Sequence, residues 1–363
     1  MSDLSNDEFM SLVEAAVLAP SADNRHLFRL ERFGSGVRFW AEQEFLDASH
    51  HHRILCLISF GAAAENMTLR SLRLGRAAHV NWFPDDAKPR LVAEIDLTRI
   101  SQPGSVPLEV AIPQRHTNRR VWFRGPALSP AELDDISAEV RTVAGVQLTW
   151  FDSPDARPQI VRLIRLAETE RFRSRLLHEE LFSAVRFDVG WKSSASEGLP
   201  PGSLEVEPPM RAIFGALRHW ELQRLLNAVG LHHAFGLRAA YLPCHLAPHV
   251  GALTTSFDVA AGALATGAAL ERVWLRATLL GMSLQPFAGS AVLGLPDYPG
   301  VSPSLREALA RGWKRLAPGR LPMMVFRIGH APPPSVRTAR RPLEDYVMAP
   351  SPALQSGRDL VDR

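Results

Sequence analysis

A stretch of fifteen residues occurs twice in this chain, and the repeat constrains the fold more than any other feature. Residues 61–75 and 267–281 are identical at eight of fifteen positions, at a constant offset of 206. In both copies apolar side chains recur at steps of three and four residues, and a glycine, Gly75 or Gly281, stands at the end. This pattern predicts two equivalent helices that end on glycine.

Two copies that lie far apart favour a fused pseudo-dimer over a solenoid, which stacks many short repeats. The alternative is that two unrelated helices share a composition rich in Ala and Leu. Matching charged positions argue against that alternative, because Glu65 and Arg70 recur as Glu271 and Arg276.

Composition excludes several classes of protein. With 363 residues, 46% hydrophobic and 22% charged, the chain is an ordinary globular protein of about two domains. We expect no membrane span, because the apolar runs are short, and the acidic N-terminus does not resemble a signal peptide. Cys56 and Cys244 lie among apolar residues, which predicts buried free thiols and a cytoplasmic protein.

The net charge of +3 and the pI of 9.2 reflect arginines that are spread along the chain. Nucleic-acid binding requires a clustered basic stripe, so we expect no nucleic-acid partner. We also expect no metal site. Three adjacent histidines, His50–His52, cannot all face one ion, and we interpret them as the solvated start of a helix.

Helix and strand patterns are mixed along the chain. Pro and Gly in 101–113 predict a linker, which gives a first half at 1–110, a second half at 111–348 and a tail at 349–363. The predicted helices are 7–18, 61–75, 129–141, 158–180, 211–231 and 267–281, and the predicted strands are 27–31, 36–41, 77–83, 90–97, 146–151, 250–255 and 323–328.

Arg115, Thr117 and Arg119 stand at alternate positions, so in an extended segment they point to one face. Two guanidinium groups and a hydroxyl suit a phosphate monoester dianion. A second basic set at 337–342 could converge on the same phosphate, and the alternative is a solvated basic loop at each place. The sequence contains no glycine-rich phosphate loop and no nucleophile elbow.

Two of these motifs resemble those of FMN-dependent nitroreductases. Ala19-Pro20-Ser21-Ala22-Asp23-Asn24 resembles the A-P-S-x-x-N turn, and 115–119 resembles the R-x-S-x-R motif. In that family one subunit carries both motifs, and two subunits build two FMN sites. Here each half carries one motif, so the chain resembles the Acg family of tandem nitroreductase-fold flavoproteins over about residues 8 to 347. Four further stretches resemble the Acg family: 53–63, 111–120, 327–329 and 340–342.

The resemblance implies an α+β nitroreductase-like fold, duplicated as an intramolecular pseudo-dimer, with one composite flavin site and one degenerate site. The phosphate would be held by Arg115, Thr117 and Arg119, assisted by Arg340 or Arg341. The isoalloxazine ring would be reached by Ser21 and Asn24, and its N5 edge by the pair Glu197-Gly198 in the irregular loop 190–209. The family turn continues Q-P-W, whereas this chain reads His26-Leu27-Phe28.

The resemblance therefore implies an FMN-dependent oxidoreductase that transfers hydride through flavin N5 to or from a small planar substrate, with NAD(P)H as a candidate donor. Two alternatives stay open: an FMN-sequestering or redox-sensing protein with little turnover, and a partner-binding protein whose site has decayed. No catalytic residue is identified. We expect a small-molecule substrate, no membrane partner, and either a monomeric pseudo-dimer or a homodimer.

Overall fold

The computed structural model describes residues 3–101, 106–295 and 300–348. The predicted tail, 349–363, and residues 102–105 of the predicted linker lie outside the described residues. The helices are α1 (Asn6–Val17), α2 (Gln43–Asp47), α3 (His50–Arg73), α4 (Pro130–Arg141), α5 (Ala156–Arg173), α6 (Arg175–Ser183), α7 (Arg211–Ala216), α8 (Trp220–Asn227), α9 (Leu231–Gly236), α10 (Leu242–Leu246), α11 (Val259–Leu279), α12 (Gly289–Val292) and α13 (Pro303–Leu316). The strands are β1 (Phe28–Phe33), β2 (Gly36–Ala41), β3 (Arg76–Trp82), β4 (Leu91–Arg99), β5 (Val146–Trp150), β6 (His249–Thr255), β7 (Ser283–Phe287) and β8 (Leu321–Gly329).

Two four-stranded sheets share one strand order. The first sheet runs β1-β2-β4-β3 and the second β5-β6-β8-β7, with every neighbouring pair antiparallel. The repeated helix lies at the same place in the chain order of each sheet: α3 lies between β2 and β3, and α11 lies between β6 and β7. The α+β fold class predicted from the sequence is therefore confirmed.

The two halves differ in their connections, since α12 and α13 lie between β7 and β8, whereas residues 83–90 alone join β3 to β4. In the first sheet the two-residue turn Gly34-Ser35 joins β1 to β2, whereas in the second sheet the six helices α5–α10 intervene between β5 and β6. The end of the chain returns to the first sheet, where Met348 N donates to the Leu30 carbonyl at 2.9 Å and Val347 pairs with Leu30. The last described residues therefore belong spatially to the first half.

Helices α3 and α11 cross at two glycines. A Cβ added to Gly61 would lie 2.0 Å from the carbonyl oxygen of Leu264, and one added to Gly267 would lie 2.0 Å from that of Ile58. Residues 61 and 58 become 267 and 264 at the offset of 206, so the two contacts are reciprocal, as they are across a two-fold axis. Both helices need glycine here because their backbones touch.

The same reciprocity holds for the charged positions of the repeat. Arg272 Nη1 lies 2.5 Å from Glu65 Oε1, and the equivalent Glu271 is faced by Asn66, which occupies the position equivalent to Arg272 and lowers the pKa of Glu271. Each helix is followed by a glycine in the left-handed conformation, Gly75 at φ 72° and Gly281 at φ 69°, as the sequence predicts.

The hydrophobic core extends through both halves. One buried cluster joins Phe39 and Phe60 of the first half to Trp274 and Phe326 of the second. A second cluster packs α5 and α13 against the second sheet. Both cysteines are free and buried, and burial raises the pKa of each thiol to about 12.

Helix starts follow local capping chemistry. Ser5 with Glu8, and Ser129 with Glu132, form capping boxes in which each side chain binds the backbone N–H of the other. Helix α3 begins at His50 as predicted, although His51 is largely covered and lies 3.1 Å from Glu180 Oε2.

Two predicted helices were wrong in detail, and one strand and one helix were not predicted. The long helix at 158–180 is broken at Ser174, where ψ is 128°, and 211–231 forms three short helices. Strand β7 was missed because it contains Pro286, which lacks an N–H, but β7 is an edge strand where proline is tolerated. Helix α13 was also missed, although Ser302 caps it and Pro303 opens it.

Candidate functional site

The motif residues of the two halves meet at one cavity of about 970 Å³. Its wall contains the turn after α1, the extended segment after residue 113 and the segment that leads to the C-terminal end. The predicted site residues that line the cavity are Ser21, Asn24, Arg115, Thr117, Arg119 and Arg340, and Arg337 and Thr338 line it as well. The first-half turn and the second-half arginines are therefore brought together.

Hydrogen bonds from distant segments hold the turn after α1. Asp23 and Asn24 adopt left-handed φ values of 53° and 56°, which asparagine and aspartate tolerate better than most residues. Ala22 N donates to Ser59 Oγ at 3.2 Å, and Asn24 Nδ2 donates to the carbonyls of Ala195 and Ser196 at 3.3 Å. The turn is thus fixed by α3 and by the irregular loop of the second half.

Ser21 lines the cavity and has an unsatisfied hydroxyl group. Its Oγ is buried and has no hydrogen-bond partner among the described residues. Buried polar groups are nearly always hydrogen-bonded, so an orphaned hydroxyl on a cavity wall is suited to a ligand.

Arg115 lines the cavity, and part of its guanidinium group already contacts other groups of the protein. Its Nη2 donates to the Leu18 carbonyl at 2.6 Å, its Nε lies 3.2 Å from Glu271 Oε1, and its guanidinium lies 4.7 Å from the Trp274 ring centroid. Burial lowers the pKa of Arg115, and Glu271 opposes that shift. Burial also raises the pKa of Glu271 to about 7, against the attraction of Arg115.

Arg119 has fewer hydrogen-bond and ion-pair partners in the protein than Arg115 has. Its Nη1 donates to the Ser203 carbonyl at 3.3 Å, and no carboxylate lies within ion-pair distance in the part of the chain that the structure describes. The side chain is half-exposed by surface area because it faces the cavity. Protein nevertheless surrounds the guanidinium, and this burial lowers its pKa. Arg119 therefore offers a positive charge to an anion in the cavity.

The segment around Arg119 is extended, as its alternating pattern predicts. Thr117 pairs with Leu284 of β7 and lines the cavity. Asn118 points the other way, with its Nδ2 donating to the Pro332 carbonyl at 2.8 Å. Strand β7, which the sequence did not predict, thus holds the arginine motif in place.

The two C-terminal arginines that the resemblance assigns to the phosphate have other partners here. Arg340 donates from Nη1 to Asn24 Oδ1 at 2.6 Å and from Nε to the Val17 carbonyl at 2.5 Å, so it braces the turn. Arg341 does not line the cavity, and its Nε lies 3.3 Å from Glu197 Oε1. Arg337 is exposed, lines the cavity and has no ion pair among the described residues.

Glu197 and Gly198 lie next to the cavity, not on its wall. Gly198 has φ +73°, and an added Cβ would lie 2.6 Å from Arg186 Cγ, so glycine is required there. The following residue, Leu199, does line the cavity. Their position beside a flavin N5 atom stays a prediction.

Comparison with known proteins identifies relatives of this chain. No family model matches the sequence. The protein acg of Mycobacterium tuberculosis (strain ATCC 25618 / H37Rv), whose name places it among the NAD(P)H nitroreductases, is 26% identical over 209 residues, which are 55% of this chain and 59% of acg. The protein MT1398 of Mycobacterium tuberculosis (strain CDC 1551 / Oshkosh) is 25% identical over 354 residues, which are 91% of this chain and 47% of MT1398. The chain is therefore similar, over about half of its length, to a protein that is named as an NAD(P)H nitroreductase.

Solved nitroreductase structures align with about two thirds of this chain. The FMN-dependent nitroreductase NfnB from Mycobacterium smegmatis, in complex with NADPH, aligns over 68% of this chain and 98% of its own, at 19% identity and a TM-score of 0.38. A nitroreductase with bound FMN from Desulfitobacterium hafniense DCB-2 aligns over 68% and 100%, at 15% identity and a TM-score of 0.34. The chain spans 59% of acg and 47% of MT1398, so the activities of those whole proteins are proposals for it.

A second cavity of about 590 Å³ lies on the other side of the helix crossing. The first cavity is lined by residues 55, 58, 59, 270 and 274 of the two repeated helices, and the second by residues 261, 264, 265, 64 and 68, which are their equivalents at the offset of 206. Among the described residues, no Lys or Arg lines the second cavity, whereas Glu65 and Asp258 do. The chain therefore has two cavities at equivalent positions, and among the described residues Arg side chains line the first but not the second.

Neither a metal site nor a membrane span is found in the described parts of the chain. No group of three His, Cys, Asp or Glu side chains there could hold a metal ion. No helix in the same residues combines the length and the apolar character needed to cross a bilayer.

Proposed function

We propose that the chain is an FMN-dependent oxidoreductase of the nitroreductase type. The observation that carries the proposal is that Ser21 of the first half and Arg119 of the second line one cavity of about 970 Å³. Both groups suit the cofactor, because the buried Ser21 hydroxyl lacks a partner and the Arg119 guanidinium lacks a carboxylate among the described residues. FMN has a phosphate dianion at one end and hydrogen-bonding ring atoms at the other.

The residues divide into two roles. Arg119, Thr117 and Arg337 would hold the phosphate, and Arg115 would add positive charge from behind while it stays paired with Glu271. Ser21 would bind the ring system, against the apolar wall formed by Ile58, Leu270 and Trp274. When bound, FMN supplies hydride transfer through its N5 atom, and NAD(P)H is the proposed donor.

The first test measures flavin binding. The purified protein should show a flavin spectrum, and Arg119→Gln should bind FMN roughly 10- to 100-fold more weakly, because it removes a charge-assisted hydrogen bond to a dianion. Arg311→Gln is the matched control, because Arg311 is exposed on α13 in an ion pair with Glu307. An unchanged dissociation constant in Arg119→Gln would contradict the assignment of the phosphate end.

The second test measures turnover. Under anaerobic conditions NADH or NADPH should bleach the flavin absorbance within seconds, and a small planar acceptor should restore it. Tightly held flavin that neither donor bleaches in an hour would contradict the oxidoreductase and favour a flavin-sequestering or redox-sensing protein. Colourless protein whose Tm does not rise with added FMN would contradict both.

A further inference from the structure

The six helices between β5 and β6 give the first cavity a wall that the second cavity lacks. Their counterpart in the first half is the turn Gly34-Ser35, which lines neither cavity. The first cavity is accordingly the larger, at about 970 Å³ against about 590 Å³. Ligand pockets range from about 300 to 1,000 Å³, so the first cavity lies at the upper end of that range.

The added wall is apolar. It presents to the cavity Phe172, Leu181, Met210, Ile213, Phe214 and Phe235. The rings are packed against one another, with centroids 4.8 Å apart for Phe172 and Phe235. Phe214 in turn packs against Phe182, at 5.2 Å between centroids. This end of the cavity therefore differs in chemistry from the end that holds Arg115 and Arg119.

The charged groups of the added wall neutralise one another. Glu207 and Arg238 both line the cavity and lie 2.9 Å apart. Glu168 and Arg171, on the same turn of α5, lie 3.6 Å apart. This part of the wall therefore presents no unbalanced charge to a ligand, and burial of apolar surface is what it offers.

The apolar wall also reaches the surface. Met210 and Ile213 line the cavity and are 42% and 48% exposed. Exposed apolar residues at the rim of a cavity are typical of a binding site. An apolar molecule could thus enter there, or extend through the rim into solvent.

We propose that helices α5, α6, α7 and α9 form a substrate chamber that accepts an uncharged molecule with an extended apolar tail, with its reacting head toward the flavin end of the same cavity. This inference rests on the proposed function and adds the substrate class to it. The tail distinguishes this class from small planar acceptors, which need no such wall.

The test is a chain-length series. Methyl to hexyl esters of 4-nitrobenzoic acid share one head and differ only in the tail, and their dissociation constants are measured by the change in flavin fluorescence of the FMN-loaded protein. We expect affinity to rise about fourfold for each added methylene that is buried. Equal affinity along the series, in protein with a full complement of flavin, would overturn the chamber and leave the proposed function intact.

Two variants test whether the apolar wall causes the dependence of affinity on chain length. Ile213→Asp should flatten the series, because it places a charge on the apolar wall, whereas Val229→Asp should not, because Val229 is 81% exposed and does not line the cavity. Both positions are exposed enough for the fold to tolerate the change. An unaltered series in Ile213→Asp would overturn the proposal. If the protein holds no flavin, the series is measured as ligand-induced shifts in Tm, so that failure of the proposed function is seen separately.

Discussion

The pair formed by Arg115 and Glu271 makes a prediction at the scale of single residues. Glu271 is fully buried, and Arg115 is its cationic partner at 3.2 Å. Arg115→Ala should lower the free energy of unfolding by about 3–5 kcal/mol, because it leaves a buried carboxylate without its cation. The measurement is denaturant unfolding. The double variant Arg115→Ala/Glu271→Gln should recover part of the loss, and equal stability of Arg115→Ala and wild type would contradict the pairing.

Glu271 also predicts a dependence of stability on pH. Its pKa is raised from 4.5 to about 7, chiefly by burial, and the groups that face it are Arg115, Asn66, Glu65 and Arg340. Between pH 4.5 and about pH 7 the carboxyl group of Glu271 holds a proton in the folded state that it releases in the unfolded state. The contribution of this group to the free energy of unfolding is therefore present at low pH and is lost as the pH rises toward 7 and above.

Between pH 5 and pH 8 the wild type should therefore lose stability relative to Glu271→Gln, by up to about 3 kcal/mol. Urea midpoints of both proteins across this range measure the difference. Parallel curves for the two proteins would show that Glu271 does not titrate on unfolding.

At this scale the sequence predicts which residues gather but not what each one does. The resemblance of the motifs at Ser21 and at 115–119 to those of nitroreductases selected residues that line one cavity, whereas Glu197, Gly198 and Arg341, selected in the same way, do not line it. The arginines differ in their hydrogen-bond and ion-pair partners, and these partners belong to distant segments. Arg115 pairs with Glu271, and Arg340 donates to Asn24. No local pattern reports such contacts.

At the scale of elements, the crossing of α3 and α11 depends on glycine. Gly267→Ala should lower the free energy of unfolding by about 3 kcal/mol or more, because its Cβ would lie 2.0 Å from the Ile58 carbonyl oxygen. Gly215→Ala is the control, because nothing lies within 4 Å of the added Cβ and Gly215 is also helical. Its stability should change by no more than about 1 kcal/mol. Thermal unfolding of both variants measures this, and an equally stable Gly267→Ala would rule out the close crossing.

Elements with strong internal periodicity could be predicted, whereas elements fixed by tertiary contacts could not. The repeated helices and their terminal glycines follow from the sequence alone. The break at Ser174 does not, because its hydroxyl donates to the carbonyl of Gly300, far along the chain, at 2.9 Å. The local pattern of β7 is likewise obscured by Pro286, and only its edge position makes that residue acceptable.

At the scale of the whole molecule, two equivalent cavities with different charge predict one FMN per chain. Ser59 and Ala265 are equivalent positions on the first and second cavities. Ser59→Leu should reduce flavin content, since Ser59 also accepts the hydrogen bond of Ala22 N, whereas Ala265→Leu should not. The ratio of released flavin to protein measures both. A ratio of two in the wild type, or flavin loss in Ala265→Leu, would contradict the assignment.

The division of the chain at residues 1–110 and 111–348 stays a proposal. The first sheet ends at Arg99 and the second half begins its regular structure with α4 at Pro130, which is compatible with a boundary between them. The sequence could not predict that the segment near Val347 returns to pack on β1. A cut at that boundary would therefore separate the first sheet from a segment that pairs with it.

The reciprocal glycine crossing has an evolutionary consequence. In an assembly of two identical subunits, every mutation enters both sides of the interface together, so neither side can change alone. Here Ile58 and Leu264, like Ser59 and Ala265, are encoded by separate codons. The side with the first cavity can therefore carry added helices and cationic residues that the side with the second cavity lacks, while the crossing of α3 and α11 stays the same. Linking the halves therefore frees each side to mutate independently, while the other keeps the scaffold folded.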